Sequence, residues 1–289
     1  MKNGLIYSLI TALMFVTLEP VSKLIAADVN PFAMTLWRFI ISTVILMPYA
    51  FSKIKKNNLK ITRNDLTRMA LLGILCVCFS MILLQVAVKV SDNPALIAII
   101  FSSNSVFTIV MAMLIMKDKL TKNKAIAIVF CVCGVIACAD FSNGGTNLLS
   151  VVMAVLAAAS FSLYSVLSQK YMTKLGGPVQ MCFVFAFGSM VLFIGLLVLG
   201  IDIVPDFTTK NILVLLYLGL FVTGVGYWSY FKAIEKGGAI MASFAFFLKP
   251  ILTPFCTFFV NGIALSPKVF LAVLLIVCGS YFAVYRKKA

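Results

Sequence analysis

About ten apolar runs follow one another along this chain, each close to the roughly 20 residues that a helix needs to cross a bilayer. The runs cover residues 4–26, 32–51, 68–88, 94–116, 124–140, 148–170, 178–200, 211–233, 239–261 and 267–286. Such long unbroken runs exclude the alternating apolar and polar residues of a membrane β-barrel. The chain is also 62% hydrophobic and only 11% charged, which leaves too little polar surface for a soluble domain. The sequence therefore predicts an all-α integral membrane protein with ten transmembrane helices, surrounded by the lipid bilayer.

The loops between the runs alternate in their content of Lys and Arg. The basic loops and the tail contain Lys53, Lys55, Lys56, Lys60, Arg63 and Arg68, then Lys117, Lys119, Lys122 and Lys124, then Lys170 and Lys174, and finally Arg286, Lys287 and Lys288. Because positively charged loops stay on the cytoplasmic side, the alternation predicts that both termini are cytoplasmic, in the inner or plasma membrane of the cell. It also accounts for the net charge of +15 without a nucleic-acid partner.

Motifs for metal binding and catalysis are missing from the sequence. All eight cysteines lie within apolar runs, and there is no His and no C-x-x-C pair, so we expect buried thiols and no metal site. There is no Gly-rich phosphate loop for ATP, and without His no zinc-protease or Ser-His motif is possible. We therefore expect no cofactor and no enzymatic activity.

The two halves of the sequence resemble each other at an offset of about 146 residues. The stretch LLGILCVCFSMILLQVAVKVSDNPALIAIIF aligns with LYLGLFVTGVGYWSYFKAIEKGGAIMASFAF, and Pro31 lies opposite Pro178. The halves are therefore predicted to be two five-helix repeats, 1–140 and 148–289. Because five is an odd number, the second repeat must be inverted in the membrane relative to the first. This inverted symmetry is typical of transporters that work by alternating access.

The same features resemble those of a known family. In the second run, Pro31 is followed seven residues later by Arg38. An acid-x-Leu-Thr turn begins at Asp118 and is followed by Gly134, and the stretch GVGYWSYFKAI precedes a run with a central Pro250. Together and in this order, these motifs resemble the EamA-type ten-helix branch of the drug/metabolite transporter superfamily over nearly the whole chain.

The resemblance implies a secondary transporter, but several substrate classes fit it. Members of the superfamily export amino acids, amines or other metabolites, or exchange sugar phosphates and nucleotide sugars. The second half departs from the family pattern, because Ile263 stands in the place of the acid and Phe185 in the place of the Arg. Any role that the family gives to those two groups is therefore predicted for the first half alone.

Charged residues inside a transmembrane run are costly, so each is a functional candidate. Glu19 lies in the outer half of the first run, where it could bind an ammonium group or carry a proton. The structural alternative for Glu19 is a salt bridge to Arg38 or a helical pair with Lys23. Lys249 lies near the middle of the ninth run, where it could hold an anionic group. The structural alternative for Lys249 is a bond to freed backbone carbonyls or to Glu19.

Further candidates for substrate binding complete the predicted site. They are Arg38, Gln85, Ser103, Asn104, Tyr227 and Trp228. Arg38 occupies the family position noted above and could equally be structural. Ser103 and Asn104 lie in the run that is the inverted partner of the ninth run, at the same membrane depth as Lys249. They could bind a ligand or another helix. Tyr227 and Trp228 belong either to an interfacial aromatic belt or to the wall of a pocket.

An acid and a base in one cavity suit a zwitterion. The sequence therefore predicts a monomeric or homodimeric secondary transporter that exports a small polar metabolite, such as an amino acid or a related amine, with a proton as a candidate coupling ion. One alternative is an exchanger of phosphorylated or nucleotide-linked metabolites, and another is a lipid flippase. A flippase should have a lateral groove open to lipid, whereas a metabolite carrier should have a closed central cavity.

Overall fold

The computed structural model describes residues 2–117, 121–123, 125–126, 128–130, 133, 147–172, 175–206, 208–263, 270–271, 273–275 and 277–279. The main helices are α1 (Lys2–Val16 and Leu18–Lys23), α2 (Pro31–Lys56), α3 (Arg63–Gly73, Ile74–Met81 and Ile82–Val90), α4 (Pro94–Phe101 and Asn104–Met116), α5 (Leu148–Lys170), α6 (Gly177–Val198), α7 (Thr209–Tyr217, Leu218–Gly226 and Tyr227–Ala242) and α8 (Ala245–Asn261). The described residues contain no strand. Seven of these helices are long and apolar enough to cross a membrane, and α8 is a shorter apolar helix. The predicted all-α membrane fold is confirmed.

These helices correspond to the first four predicted runs and to the sixth to ninth. The fifth run, 124–140, and the tenth run, 267–286, lie largely outside the described residues, as do Asp118 and Gly134. The basic tail that entered the prediction of orientation also lies outside them.

Several helices begin where the sequence supplies a capping side chain or a proline. Asn30 accepts a hydrogen bond from the backbone N–H of residue 32 at 2.9 Å, and Pro31 opens α2. Asn93 caps α4 in the same way ahead of Pro94. Pro178 lies in the first turn of α6. A proline is favoured there because the first N–H groups of a helix have no helical acceptor. These local signals fix where three of the helices begin.

Two helices widen into π-helical turns at matching places. The segment Ile74–Met81 lies in α3, and the segment Leu218–Gly226 lies in α7. The two segments coincide when the halves of the sequence are aligned as above. Wide turns of this kind are uncommon and often occur at functional sites. Because the two segments occupy matching positions, they support the internal repeat independently of the similarity between the hydrophobic residues of the two halves.

Contacts between helix ends place three loops on one face of the bundle. At the end of α1, Lys23 Nζ donates to the carbonyl of Ser91, which follows α3. Asp28, between α1 and α2, lies 3.9 Å from Lys210 at the start of α7. The loops after α1, after α3 and before α7 therefore lie together.

A second set of contacts defines the opposite face. Near the N-terminus, Ser8 donates to the carbonyl of Met241 at 2.9 Å. Gln169, at the end of α5, accepts from the backbone N–H of Ala239 at 2.7 Å. Arg68, near the start of α3, lies 5.0 Å from the ring centroid of Tyr171. The N-terminus, the loop after α5 and the Gly238 region therefore share this face with the start of α3.

The two faces show that equivalent helices run in opposite directions. Helix α1 leaves the face of the N-terminus, whereas its counterpart α5 arrives there. Helix α3 likewise begins at that face, and its counterpart α7 ends there. The second set of helices is therefore inverted relative to the first, as the odd number of predicted helices per repeat requires.

Close packing of α3 on α6 depends on two glycines. A Cβ atom at Gly73 would lie 2.4 Å from the carbonyl oxygen of Val184 and 2.7 Å from the backbone nitrogen of Gly188. Those neighbours are backbone atoms, which cannot rotate away as a side chain could. Small residues that let helix backbones approach closely are a common way to join helices in membranes.

We expect Gly73→Ala to destabilise the fold by about 1–3 kcal/mol, because a methyl group forced into a well-packed contact must push the two helices apart. The measurement is the melting temperature of the purified protein in detergent. Gly195→Ala is the matched control, because Gly195 lies on α6 and a Cβ there would meet nothing within 4 Å. Equal melting temperatures for the two variants would contradict this account of the α3–α6 contact.

Candidate functional site: a buried ion pair and an unpaired arginine

Glu19 and Lys249 form an ion pair in the interior of the bundle. Lys249 Nζ of α8 lies 2.5 Å from Glu19 Oε1 of α1, and both side chains are 0% exposed. The two residues are 230 positions apart in the sequence, and each comes from a different half. Of the partners weighed from the sequence for Glu19, the structure selects Lys249 rather than Arg38 or Lys23.

Pro20 shapes α1 beside this pair. A proline has no backbone N–H, so Pro20 leaves the carbonyl of Val16 without its helical partner. Thr253 Oγ1 of α8 donates to that carbonyl at 3.4 Å. Asn261 Nδ2, at the end of α8, donates to the carbonyl of Pro20 at 3.1 Å. These two bonds hold α1 against α8 around Glu19.

The ion pair is only partly satisfied by its surroundings. Glu19 Oε2 has no hydrogen-bond partner among the described residues. Lys249 Nζ lies 5.0 Å from the ring centroid of Phe101 and 5.9 Å from that of Phe246, so the aromatic faces supply weak electrostatic attraction. A buried ion pair usually adds little stability over apolar residues of similar size. Its presence within the membrane-spanning region therefore favours a role beyond folding.

Arg38 of α2 is a third buried charge in the same interior. Its side chain is fully buried, and its charge acts electrostatically on both Glu19 and Lys249. Arg38 Nη2 donates to Met81 Sδ at 3.4 Å, and the guanidinium lies 4.9 Å from the ring centroid of Phe39. Arg38 Nε and Nη1 have no hydrogen-bond partner among the described residues. The guanidinium thus keeps unused donors in a buried position.

Aromatic side chains connect the guanidinium with the ion pair. Tyr227 packs on Phe185 and on Phe15 with ring centroids 5.1 and 4.9 Å apart. Phe15 in turn lies 5.7 Å from Phe246, one of the rings beside Lys249. The Tyr227 hydroxyl donates to the same Met81 Sδ as Arg38, at 3.1 Å. Tyr227 therefore lies in the interior between the buried charges, which fits the predicted pocket wall better than an interfacial belt.

The neutral candidates lie in the same bundle interior. Asn104 is the counterpart of Lys249 at the repeat offset, and neither atom of its side-chain amide has a partner among the described residues. Its carbonyl accepts from Ser162 Oγ at 2.7 Å. Ser103 Oγ also lacks a partner in the described part of the chain. Gln85 Nε2 donates to Ser22 Oγ, one turn after Glu19, at 3.2 Å.

The structure does not bring Trp228 or Lys23 to the pair. Trp228 is half-buried, and its ring packs edge-on against Tyr7, with centroids 5.8 Å apart. Lys23 donates to the carbonyls of Val88 and Ser91 at the end of α3. Lys23 therefore joins the end of α1 to the end of α3.

Sequence reasoning missed several residues that complete the site. Met81 bridges Arg38 and Tyr227, Phe101 faces the Lys249 ammonium group, and Thr253 binds the carbonyl that Pro20 frees. Met and Phe in an apolar run carry no signal that separates them from ordinary core residues. Pro20 was the one available signal for Thr253, because a freed carbonyl needs a donor.

Within the described residues, no group of three or more His, Cys, Asp or Glu side chains could hold a metal ion. The chemistry that this arrangement offers is the binding of charged groups, by a carboxylate with one unbonded oxygen and by a guanidinium whose Nε and Nη1 have no partner among the described residues. A multi-pass membrane protein with buried charges between two inverted sets of helices has the features of a transporter.

Comparison with known proteins agrees with that class. The model of the EamA-like transporter family matches the chain twice, over residues 2–139 and 148–285. A protein of Clostridium kluyveri described as an uncharacterized transporter is 36% identical over 288 residues, covering 97% of this chain and 92% of that protein. The chain belongs to the EamA-like transporter family.

A solved crystal structure of another protein has a similar fold. It superposes with a TM-score of 0.73, covering 98% of this chain and 97% of that one, at 16% sequence identity. At this identity the similarity concerns the fold alone.

Proposed function

We propose that the protein is a secondary carrier that exports a small zwitterionic metabolite, an amino acid or a closely related amine, by alternating access. The observation that carries the proposal is the fully buried pair of Glu19 and Lys249, which joins α1 of one repeat to α8 of the other. A carrier releases its cargo unchanged, so no bond is formed or broken in the site. The protein is accordingly proposed not to be an enzyme.

In this mechanism the substrate exchanges with Lys249. The substrate ammonium group binds to the Glu19 carboxylate, and Lys249 moves away from Glu19. Because each charge belongs to a different repeat, opening the pair loosens the contact between α1 and α8. The two repeats can then exchange conformations and expose the site to the other side. When the site is empty, Lys249 neutralises Glu19 again, which avoids an isolated carboxylate at membrane depth.

A proton is the coupling ion that suits this site. Glu19 binds an ammonium group only when it is ionised, so a proton that binds to Glu19 on one side releases the substrate there. The same carboxylate would then carry the proton back. We propose this exchange on the basis of the carboxylate oxygen, Glu19 Oε2, that no other described group occupies.

Two other functions are weaker fits to the site. An exchanger of phosphorylated metabolites would need several free cations, but Lys249 is bound to Glu19, and Arg38 is the other buried cation in the described part of the chain. A lipid flippase would use a lateral groove, and α2 and α6 do enclose one of about 360 Å³. Its lining residues are Ile40, Thr43, Val44, Ala186, Ser189, Met190 and Phe193. None of them carries the charge that a lipid headgroup would need, and the ion pair lies outside the groove.

The orientation in the membrane is part of the proposal. We propose that the face bearing the N-terminus is cytoplasmic, because the basic loops after α2 and α5 adjoin it. A reporter that is active only outside the cytoplasm should stay silent when it is fused after residue 289, and a reporter that needs the cytoplasm should be active there. The reverse pattern would overturn the assignment.

The carrier function is tested by ligand binding followed by flux. Purified protein is screened by thermal shift against the proteinogenic amino acids, their decarboxylated amines, their deaminated acids, and common sugar phosphates. Compounds that raise the melting temperature are then tested for uptake into proteoliposomes. We expect stabilisation and uptake with amino acids or their amines. Stabilisation by sugar phosphates alone would replace this proposal with the exchanger.

A further inference from the structure

Arg38 presents hydrogen-bond donors that no described residue accepts. The side chain is fully buried, Nη2 makes a weak bond to Met81 Sδ beside the Tyr227 hydroxyl, and Nε and Nη1 have no partner among the described residues. Burying a charged group without hydrogen bonds is costly. An arrangement that leaves a guanidinium in this condition therefore points to a ligand that completes it.

The charge balance of the interior points to a ligand that supplies a negative group. Glu19 and Lys249 cancel each other, so Arg38 leaves the three buried charges with one positive charge in excess. In the described part of the chain, no carboxylate forms an ion pair with Arg38. The aligned position in the second half is Phe185, whose ring packs on Phe39 with centroids 4.7 Å apart. The second repeat therefore supplies no guanidinium at this aligned position, and the first repeat supplies Arg38.

Aromatic side chains line the path from the Arg38 guanidinium to the ion pair. The Phe39 ring centroid lies 4.9 Å from the guanidinium carbon. The Tyr227 hydroxyl donates to Met81 Sδ, the same atom that accepts from Arg38 Nη2. From Tyr227, aromatic rings continue through Phe15 to the rings beside Lys249. A ligand with a carboxylate at one end, an ammonium group nearby and an apolar side chain would match this order of anion-binding, apolar and cation-binding surfaces.

We propose that Arg38 is the subsite for the carboxylate of the substrate, and that it makes the protein select compounds that carry this group over the matching amines. Guanidinium groups suit this task because their planar set of donors matches the oxygens of a carboxylate. The inference rests on the proposed function and deepens it, since it assigns the two charged groups of the zwitterion to two separate subsites. Glu19 takes the ammonium group by displacing Lys249, and Arg38 takes the carboxylate.

The test compares three probes on the purified full-length protein: leucine, 3-methylbutylamine, which lacks the carboxylate, and 4-methylpentanoate, which lacks the ammonium group. If another amino acid stabilises the protein more strongly than leucine, its own amine and acid replace these probes. Binding is measured by calorimetry. The wild type should bind the amino acid at least about tenfold more tightly than the amine, since a hydrogen bond to a charged group is worth that much. Arg38→Gln should lose this preference and bind the amine as the wild type does.

Two variants guard against effects on folding. Arg63→Gln is the matched control, because Arg63 is exposed at the start of α3, and it should keep the preference for the amino acid. Arg38→Lys keeps the charge, so it should recover part of the preference if Arg38→Gln folds poorly. An unchanged preference for the amino acid in folded Arg38→Gln or Arg38→Lys would overturn the subsite while leaving the carrier function in place. Binding of neither amino acids nor amines by the wild type would overturn the carrier proposal as well.

Discussion

Replacing Glu19 by Gln is expected to reduce transport at least about tenfold while expression and membrane insertion stay normal. The Gln side chain keeps the size and polarity of Glu19 but removes the charge that attracts an ammonium group. A lost charge-assisted hydrogen bond costs about 1.5–3 kcal/mol, which corresponds to a factor of about ten or more. Uptake of a radiolabelled amino-acid mixture into proteoliposomes measures the effect. If Glu19 also carries the proton, the residual uptake of the variant should no longer depend on pH.

Glu235→Gln is the matched control for that experiment. Glu235 lies near the end of α7 and forms a partly exposed ion pair with Lys232 at 3.0 Å, so it has the same side chain far from the buried pair. Its removal should leave uptake unchanged. Uptake at the wild-type rate in Glu19→Gln, with the wild-type response to pH, would make Glu19 a structural partner of Lys249 and no more.

Replacing Lys249 by Met is expected to have the largest effect on stability. The change leaves Glu19 buried with no polar group in place of its cation, whereas in Glu19→Gln the amide oxygen can still accept a hydrogen bond from Lys249. Breaking a buried pair without such a replacement costs about 3–5 kcal/mol. The double variant Glu19→Gln with Lys249→Met removes both charges and should recover most of that stability. The melting temperatures of the two variants, measured in the same detergent, test this expectation.

The same pair of variants separates folding from function. The double variant should fold but fail to transport amino acids, because neither exchangeable charge remains. A double variant that transports at the wild-type rate would show that the pair serves only the fold. A double variant as unstable as Lys249→Met alone would contradict the view that the lost ion pair causes the instability.

Much of the fold could be predicted because membrane helices leave a strong sequence signal. The run 148–170 coincides with α5, and 94–116 coincides with α4. Differences occur where a helix continues beyond the apolar run into charged residues, since α2 extends to Lys56 and α3 begins at Arg63. Hydrophobicity marks where a helix lies in lipid, whereas capping and turn residues decide where it ends. Lys53, Lys55 and Lys56 extend α2 because basic residues are favoured in the last turn of a helix.

The boundary between α7 and α8 shows another limit. The eighth and ninth runs were separated at residues 234–238, and Gly238 does interrupt the helix there, with φ 82° and ψ 172°. The next break lies at residues 243–244, which the apolar sequence gave no reason to expect. The wide turns in α3 and α7 were also not predicted, because a π-helical turn has no distinctive composition.

The site was predicted as a set of residues but not as an arrangement. Charges within apolar runs identified Glu19, Lys249 and Arg38, since such charges are rare in membranes. Which of them pair depends on contacts between helices 230 residues apart in the sequence, and a single sequence does not carry that information. The unpartnered donors of Arg38 likewise follow from packing, because no described carboxylate lies within ion-pair distance of the guanidinium.

The most direct test of the account is counterflow of amino acids in proteoliposomes that contain the wild-type protein. The vesicles are loaded with an unlabelled amino-acid mixture, and a trace of the labelled mixture is added outside. An alternating-access carrier exchanges the two, so the account predicts transient accumulation of label inside the vesicles, and none with Glu19→Gln. Absence of accumulation in wild-type vesicles, or equal accumulation with Glu19→Gln, would contradict the claim that the buried pair binds a zwitterion during transport.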